Sequence, residues 1–158
     1  MQRPVGAQGG TAEDGALFLL LPVGARAVGM GQAVVAGLAG TEAVWWNPAA
    51  LARVERIEAA IHHSQTIIAT GDAVSIAYPS LVGVIVASPN FLTYGEQRVT
   101  VGPDGAVGTI LPRSFVFAGT YASPIGGRLN AGLTFKVIQL RLDCSGECTD
   151  VPTFVAST

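Results

Sequence analysis

The chain contains little charge, since only 13% of its 158 residues are Asp, Glu, Lys or Arg, against about 25% in a usual soluble domain. Its nine basic and eleven acidic residues give a net charge of −2, and the bases form no stripe that would suit nucleic acid. No apolar run approaches the roughly 18 residues of a membrane-spanning helix. The composition leaves two classes open: a β-domain with a strongly apolar core, or a transmembrane barrel, whose strands show lipid only every second residue.

Residues that carry chemistry are scarce as well, with two histidines and two cysteines in the whole chain. His62 and His63 would point to opposite faces of a strand, so they could not share a metal ion. Cys144 and Cys148 lack the two further ligands that zinc needs, which favours a disulfide in a surface loop over free thiols. There is no Ser-His-Asp set, GxSxG or HExxH motif, or pair of catalytic carboxylates. We predict that the protein is not an enzyme and has no metal site or cofactor.

Glycine is abundant, with 20 residues, and it interrupts the segment from Phe18 to Gly40, which has no period of 2 or 3.6. Each interior glycine costs a helix roughly 1 kcal/mol relative to alanine, so this segment should hold its shape only when packed inside something else. The run Gly29-Met30-Gly31 does not fit a dinucleotide-binding loop, because Pro22 breaks the preceding strand. We expect instead that its glycines let the backbone approach a neighbouring wall closely.

A period of 2 begins near Arg56 and predicts five strands. They are expected near residues 57–63, 72–78, 81–88, 111–122 and 129–143. Pro89-Asn90 should end the third strand, and a change of parity near Ile138 predicts a β-bulge. A sixth strand should begin near Thr153. So few strands cannot close a barrel, and we expect the chain to be the N-terminal part of a longer protein.

The connections between these strands are expected to alternate in length. Long connections are predicted at Ser64–Gly71 and Gly95–Ile110, short ones at Pro79-Ser80 and Ser123–Arg128, and an intermediate one at Cys144–Val151. Short turns at one end and long loops at the other favour an up-and-down transmembrane barrel over a β-sandwich.

The run PVGARAVGMG at residues 22–31, followed by WNPAAL at residues 46–51, resembles the N-terminal signature of the PorV/PorQ family within the FadL-type outer-membrane β-barrels. The resemblance covers residues 18–52 and continues more weakly to Leu142. It implies an N-terminal plug, or hatch, on which the Asn47-Pro48-Ala49 element lies and blocks the pore. The plug-motif residues are Gly24, Arg26, Gly29, Gly31, Trp45, Trp46, Asn47, Pro48 and Ala49.

The resulting hypothesis is an all-β, antiparallel up-and-down transmembrane barrel, here incomplete, with a plug that contains a short helix. Residues 1–17 would be a flexible lead, 18–55 the plug and 56–158 the first strands of the barrel. The short helix should run from Pro48 to about Arg53, because Asn47 can cap it and Pro48 suits its first position. Trp45 and Trp46 are expected in the core of the plug, with an interfacial anchor as the alternative. The expected lumen-facing residues are Glu58, His62, Asn130, Thr134 and Lys136.

The resemblance also implies a location and two roles. The protein would lie in the outer membrane of a Gram-negative-type bacterium, with outer-membrane lipid as its surroundings. It would serve transport or type IX secretion by handling a secreted cargo protein, or it would take up hydrophobic small molecules as FadL-like channels do. Met1–Ala7 lacks the apolar core of a signal peptide, so we expect that such a peptide was removed or that the reading frame starts late. The rival hypothesis is a soluble or surface β-domain for binding.

These hypotheses differ in how the N-terminal segment should pack. A plug would place Val23–Arg53 on the polar face of the sheet, the face of Glu58 and Lys136, and leave the apolar face bare. A soluble domain would instead fold Phe18–Leu38 over the apolar face, because burial contributes about 25 cal/mol per Å². In the barrel topology, Cys144 and Cys148 should lie at the same end of the sheet as the predicted long loops.

Overall fold

A computed structural model, which describes residues 17–37, 39–100 and 106–146, contains six strands in one open antiparallel sheet. The strands are β1 (Glu58–Gln65), β2 (Thr70–Ser80), β3 (Gly83–Thr93), β4 (Gln97–Thr100), β5 (Ala106–Ile125) and β6 (Leu129–Gly146). The predicted antiparallel sheet is therefore confirmed. The predicted sixth strand near Thr153 and residues 1–16 of the predicted lead (residues 1–17) lie outside the described residues.

Strands β3 and β4 together occupy one edge of β5. β3 pairs with β5 from Val84 opposite Ala122 to Thr93 opposite Arg113, and β4 pairs with the preceding residues of β5. β6 pairs with β5 along its other edge. The sheet thus has a strict neighbour order of five rows, β1, β2, β3 with β4, β5 and β6, as the sequence predicts.

The connections differ from the predicted rhythm of long and short loops. The prediction of a long Ser64–Gly71 loop is wrong, because β1 and β2 extend toward each other and leave only residues 66–69 between them. Thr66 closes this turn through its hydroxyl, which donates to the Ala69 carbonyl at 2.9 Å. At the opposite end the connections are short, as predicted, but they lie at residues 81–82 and 126–128, because Pro79 and Ser80 belong to β2 and residues 123–125 belong to β5.

Pro89 does not end the third strand, which is a second correction. β3 continues to Thr93, and Pro89 lies opposite Phe117 of β5. A proline lacks the N–H that a central strand donates to its neighbour, and the register of β3 with β2 is interrupted there, between Ala87 and Asn90. Pairing with β5 alone carries the strand past the proline.

The predicted β-bulge near Ile138 is also wrong. The register of β6 with β5 runs without a shift from Gly146 opposite Gly108 to Leu129 opposite Ile125. The apolar pattern changes there because Ile138 and Leu140 pack against a buried cluster on the other face of the sheet. A change in what covers the strand, with no extra residue, produces the change of parity.

The N-terminal segment contains only short helices. They are the 3₁₀ helices Leu17–Leu20, Thr41–Trp45 and Pro48–Arg53, and one α-helix, α1, Ala25–Gly29. The last 3₁₀ helix has the predicted bounds: the Asn47 side chain accepts a hydrogen bond from the Ala49 N–H at 3.2 Å, and Pro48 is its first residue. Among the described residues, no helix is both long enough and apolar enough to cross a membrane.

The N-terminal segment packs on one face of the sheet, which we call the covered face. Two buried hydrophobic clusters join the N-terminal segment to the sheet. The larger combines residues of the segment such as Val34, Val44 and Leu51 with Ala77 and Val86 of the sheet. The smaller combines Phe18 with Leu92, Val116 and others near the other end of the sheet.

Candidate functional site

The covered face carries small, polar and branched aliphatic side chains, and Ile138 and Leu140 of β6 are among the aliphatic ones. Alternation and register place on it the residues Glu58, Ala60, His62, Ala73, Ser75, Ala77, Val84, Val86, Ser88, Asn90, Leu92, Ser114, Val116, Ala118, Thr120, Ala122, Gly132, Thr134 and Lys136. Ser75 and Ser88 are fully buried, and the Ser88 hydroxyl donates to that of Ser75 at 3.0 Å. The hydroxyls of Thr120 and Thr134 lie 2.8 Å apart. These pairs satisfy polar groups that the N-terminal segment shields from water.

The 3₁₀ helix Pro48–Arg53 packs against Gly132 of the covered face. A Cβ at Gly132 would meet the Pro48 carbonyl carbon and would lie 2.6 Å from the Ala49 nitrogen. A glycine inside a strand often marks such a close backbone approach. Sequence reasoning missed Gly132 as a site residue, although the period of 2 places it on the same face as Thr134. The Asn-Pro-Ala element therefore rests directly on β6.

Trp46 and Asn47 hold the N-terminal segment together across long sequence separations. The Trp46 indole N–H donates to the Val23 carbonyl at 3.0 Å. The Asn47 side-chain amide donates to the Val35 carbonyl at 2.9 Å, in addition to capping the helix. Trp45 and Trp46 are partly buried against the larger cluster, on the face opposite to Phe117 and Phe135. This arrangement agrees with the predicted place in a packed N-terminal unit.

The glycines of the predicted motif have different roles from the one expected. Gly24 has φ +99°, and a Cβ there would meet the Glu42 carboxylate, which fits a close approach. At Gly29 and Gly31, a Cβ would meet nothing within contact distance among the described residues. The expected close approach is therefore wrong for these two. Gly31 has φ +60°, a left-handed conformation that favours glycine, and Arg26 lies exposed on α1.

A cavity of about 580 Å³ lies between the N-terminal segment and strands β1 to β3. His62, Ser64 and Asn90 contribute polar atoms to its lining, and Val28 and Leu92 contribute apolar ones. A second cavity, of about 400 Å³, lies near the end of the sheet to which Cys144 belongs. Its lining includes Phe18, Leu21, Ile68, Tyr94 and Leu140. Both volumes fall in the range of small-molecule sites.

Three buried polar atoms of this region have no hydrogen-bond partner among the described residues. They are Nε2 of His62, Oε1 of Glu42 and the indole nitrogen of Trp45. His62 lines the larger cavity, although its Nε2 atom is itself buried. Buried polar atoms are usually paired, which makes the boundary between the segment and β1 the best candidate for a binding site.

The predicted lumen-facing residues share one face of the sheet. Glu58, His62, Thr134 and Lys136 follow the parity of the covered face, and Asn130 has the same parity opposite Pro124. His63 points to the other face, where its Nδ1 lies 2.7 Å from Oδ1 of Asp72. The two histidines thus point apart, as predicted.

The other face, which we call the exposed face, is apolar and has no covering element among the described residues. Its large side chains are between 36% and 78% exposed. They are Ile61, Ile76, Tyr78, Ile85, Phe91, Phe117, Tyr121, Leu133, Phe135 and Val137. The predicted packing of the N-terminal segment on the polar face is therefore confirmed.

Cys144 lies opposite Ile110, at the end of the sheet where β1 meets β2. This is the end that the topology predicts for it, but Cys144 lies within β6, so its predicted position in a loop is wrong. Cys148 lies outside the described residues, and the disulfide between the two stays a prediction. Within the described ranges, no group of three or more His, Cys, Asp or Glu side chains is arranged to hold a metal ion.

Comparisons with known proteins found no family model, curated protein or solved structure that matches this chain. The resemblance to the PorV/PorQ family therefore rests on the residues of the two sequence runs alone.

Proposed function

We propose that this chain is the N-terminal part of an outer-membrane β-barrel of PorV/PorQ, FadL-like type, with a plug formed by residues 18–55. The observation that carries the proposal is the inverted polarity of the sheet. Serine, threonine and asparagine lie under the N-terminal segment, while the exposed face holds aromatic and branched aliphatic side chains. A barrel in a membrane has this distribution, with a polar interior and an apolar band toward lipid.

The dimensions of the exposed face support the same proposal. From Phe115 to Ile125, the apolar part of β5 extends about 33 Å along the strand, at about 3.3 Å per residue. A strand tilted by about 40° would give this band a height of about 25 Å, which suits an outer membrane. Tyr78 and Tyr121 lie directly opposite Ile85 on the two neighbouring strands. This row is near the short turns, where an aromatic girdle is expected.

A soluble domain of this sequence would place the same parts differently. It would bury Phe135 and Leu133, and it would leave Ser75 and Ser88 toward water, because burying hydroxyls costs free energy that burying hydrocarbon does not. The plug hypothesis explains why, among the described residues, the N-terminal segment covers the face with hydroxyl pairs. It also fits the close approach of the Pro48 and Ala49 backbone to Gly132 of the sheet.

Between the two roles that the resemblance implies, the larger cavity favours uptake of small molecules. A space of about 580 Å³ between plug and strands could hold a mainly apolar molecule, with His62 and Asn90 for a polar group. The sequence motif resembles the PorV/PorQ branch, but this resemblance does not by itself favour a role in type IX secretion. Deletion followed by assays of hydrophobic-compound uptake and of protein secretion separates the two roles.

Lipid quenching of tryptophan fluorescence tests the barrel proposal directly. Wild type has two tryptophans, both in the plug, whereas Phe135→Trp adds one in the centre of the exposed face. In vesicles of phosphatidylcholine with dibrominated acyl chains, we expect strong quenching of the added tryptophan and weak quenching of Trp45 and Trp46. An unquenched Trp at position 135, together with extraction of the protein into plain buffer, would establish the soluble alternative.

A further inference from the structure

The exposed face carries a pair of arginines at one border of its apolar band. Arg113 of β5 and Arg141 of β6 lie directly opposite each other, so their Cβ atoms are about 5 Å apart. Both follow the parity of Phe117 and Phe135, and both are exposed. Like charges directly opposite on neighbouring strands destabilise a sheet. An anion bound between the two guanidinium groups would reduce this repulsion.

The protein groups near the pair neutralise it only in part. Oδ2 of Asp143 lies 3.8 Å from Nη1 of Arg113, a loose contact between two side chains that are 55% and 58% exposed. Arg98 of β4 lies opposite Thr109, which has the same parity as Arg113, and adds a third positive charge to this end of the exposed face. Asp72, on the same face, is within 2.7 Å of His63 instead.

The next row of the exposed face toward the apolar band is aromatic. The rings of Phe91 and Phe115 are 4.8 Å apart between centroids and tilted by 40°. Phe115 is two residues from Arg113, about 7 Å along the strand. Beyond it lie Phe117 and Val137, which are opposite each other. Guanidinium groups thus stand at the edge of an apolar surface, where the head of an amphiphile would meet them.

We propose that Arg113 and Arg141 bind the phosphate head of a membrane lipid whose acyl chains lie along the exposed face. Two guanidinium forks can each donate a pair of hydrogen bonds to phosphate oxygens, and one phosphate between them removes the like-charge repulsion. This inference rests on the proposed function, because it needs the exposed face to lie in lipid. It adds that the lipid beside β5 and β6 is selected by its head group.

Native mass spectrometry of the full chain in a neutral detergent tests the site. The two probes are dioleoylphosphatidic acid, with a phosphomonoester head, and dioleoylphosphatidylcholine, with the same acyl chains and a zwitterionic head. We expect the doubly substituted Arg113→Gln/Arg141→Gln protein to bind phosphatidic acid about tenfold or more weakly than wild type. Arg141→Lys should show a smaller loss, because it keeps the charge without the planar fork.

The matched control removes two charges elsewhere. Arg56 precedes β1 and Arg128 lies in a short turn, both toward the opposite end of the sheet. Arg56→Gln/Arg128→Gln should bind phosphatidic acid within about twofold of wild type, since distant exposed charges are screened. Circular dichroism of every variant establishes that the sheet is retained.

Each other outcome has a distinct meaning. Unchanged binding in the Arg113/Arg141 double variant overturns the site. Equal affinity of wild type for the two lipids also overturns it but leaves the lipid-facing sheet intact. If millimolar inorganic phosphate competes as well as phosphatidic acid does, the pair binds a free anion and the lipid proposal is wrong. If neither lipid binds and the chain stays in buffer without detergent, the proposed function fails together with this inference.

Discussion

The covered and exposed faces belong to the same strands, yet they differ in the size and polarity of their side chains. On β5, Ser114, Ala118 and Thr120 point to the covered face and are buried. On the same strand, Phe117 and Tyr121 point the other way and are 39% and 45% exposed. A strand presents two independent surfaces because its side chains alternate. Here the polar surface has protein against it and the apolar surface has none among the described residues.

The hydrophobic effect acts differently on the two faces, because the two buried clusters lie on the covered face. Burial of apolar area contributes about 25 cal/mol per Å², and that contribution is left unused on the exposed face. On the covered face, paired hydroxyls, small side chains and close backbone contact add to the burial of the two apolar clusters. Substitutions that act on one face at a time therefore test what each face meets.

The largest effect is expected from a charge in the centre of the exposed face. Phe135→Arg should destabilise a membrane-inserted sheet by about 2–4 kcal/mol, and Leu129→Arg, near the short turn, by about 0–1 kcal/mol, because the cost depends on depth in the bilayer. Urea unfolding in phospholipid vesicles measures both. Similar, near-zero effects at the two positions would show that the exposed face does not lie in lipid.

The next largest effect is expected at Gly132, where the backbone of Pro48 and Ala49 contacts β6. Gly132→Ala places a methyl group against the Pro48 and Ala49 backbone, and overpacking of this kind costs about 1–3 kcal/mol. The unfolding free energy should fall, and limited proteolysis should cut the N-terminal segment sooner.

Gly119→Ala is the matched control for that substitution. Gly119 lies on the exposed face of β5, where a Cβ would meet only the Phe117 ring, at 3.8 Å. We expect a change within about 0.5 kcal/mol. Equal effects of Gly119→Ala and Gly132→Ala on the unfolding free energy would contradict direct packing of Pro48 on β6.

A smaller effect is expected within the N-terminal segment itself. Asn47→Ala removes both the helix cap and the bond to the Val35 carbonyl, and loss of a cap costs about 0.5–2 kcal/mol. Asn47→Asp keeps the capping oxygen and loses only the donor to Val35. Hydrogen exchange of the Ala49 amide should accelerate in the alanine variant and stay slow in the aspartate variant. Fast exchange in both would show that the Val35 bond, rather than the cap, holds this turn.

The smallest effect is expected at the ion pair of the exposed face. His63 and Asp72 are 63% and 59% exposed, and pairs of this kind contribute about 0–1 kcal/mol. Asp72→Asn should therefore change the unfolding free energy by less than Gly132→Ala or Phe135→Arg does. A loss as large as that of Phe135→Arg would mean that the pair lies in a low-dielectric environment instead of at a wet border.

Several features could be predicted because they depend on local pattern. The period of 2 in β5 and β6 assigns Phe117, Phe135 and Lys136 to their faces, and Asn47-Pro48 specifies the start of the 3₁₀ helix. The side on which the N-terminal segment packs was also predicted from the sequence, because the barrel hypothesis leaves the apolar stripe that includes Leu133 and Phe135 uncovered by protein. The barrel, its membrane and its role are proposals that these local features support.

The sequence by itself determined the strand faces, their neighbour order and the capped helix, because alternation, turns and capping act over a few residues. Tertiary structure alone decided the rest. β3 continues beyond Pro89 because it pairs with β5 there. Ile138 keeps the alternation of β6 and packs against the buried cluster around Phe18, without a bulge. Gly132 became the seat of Pro48 only when residues far apart in the chain came into contact. Such features depend on what lies opposite a residue in space, which local pattern does not encode.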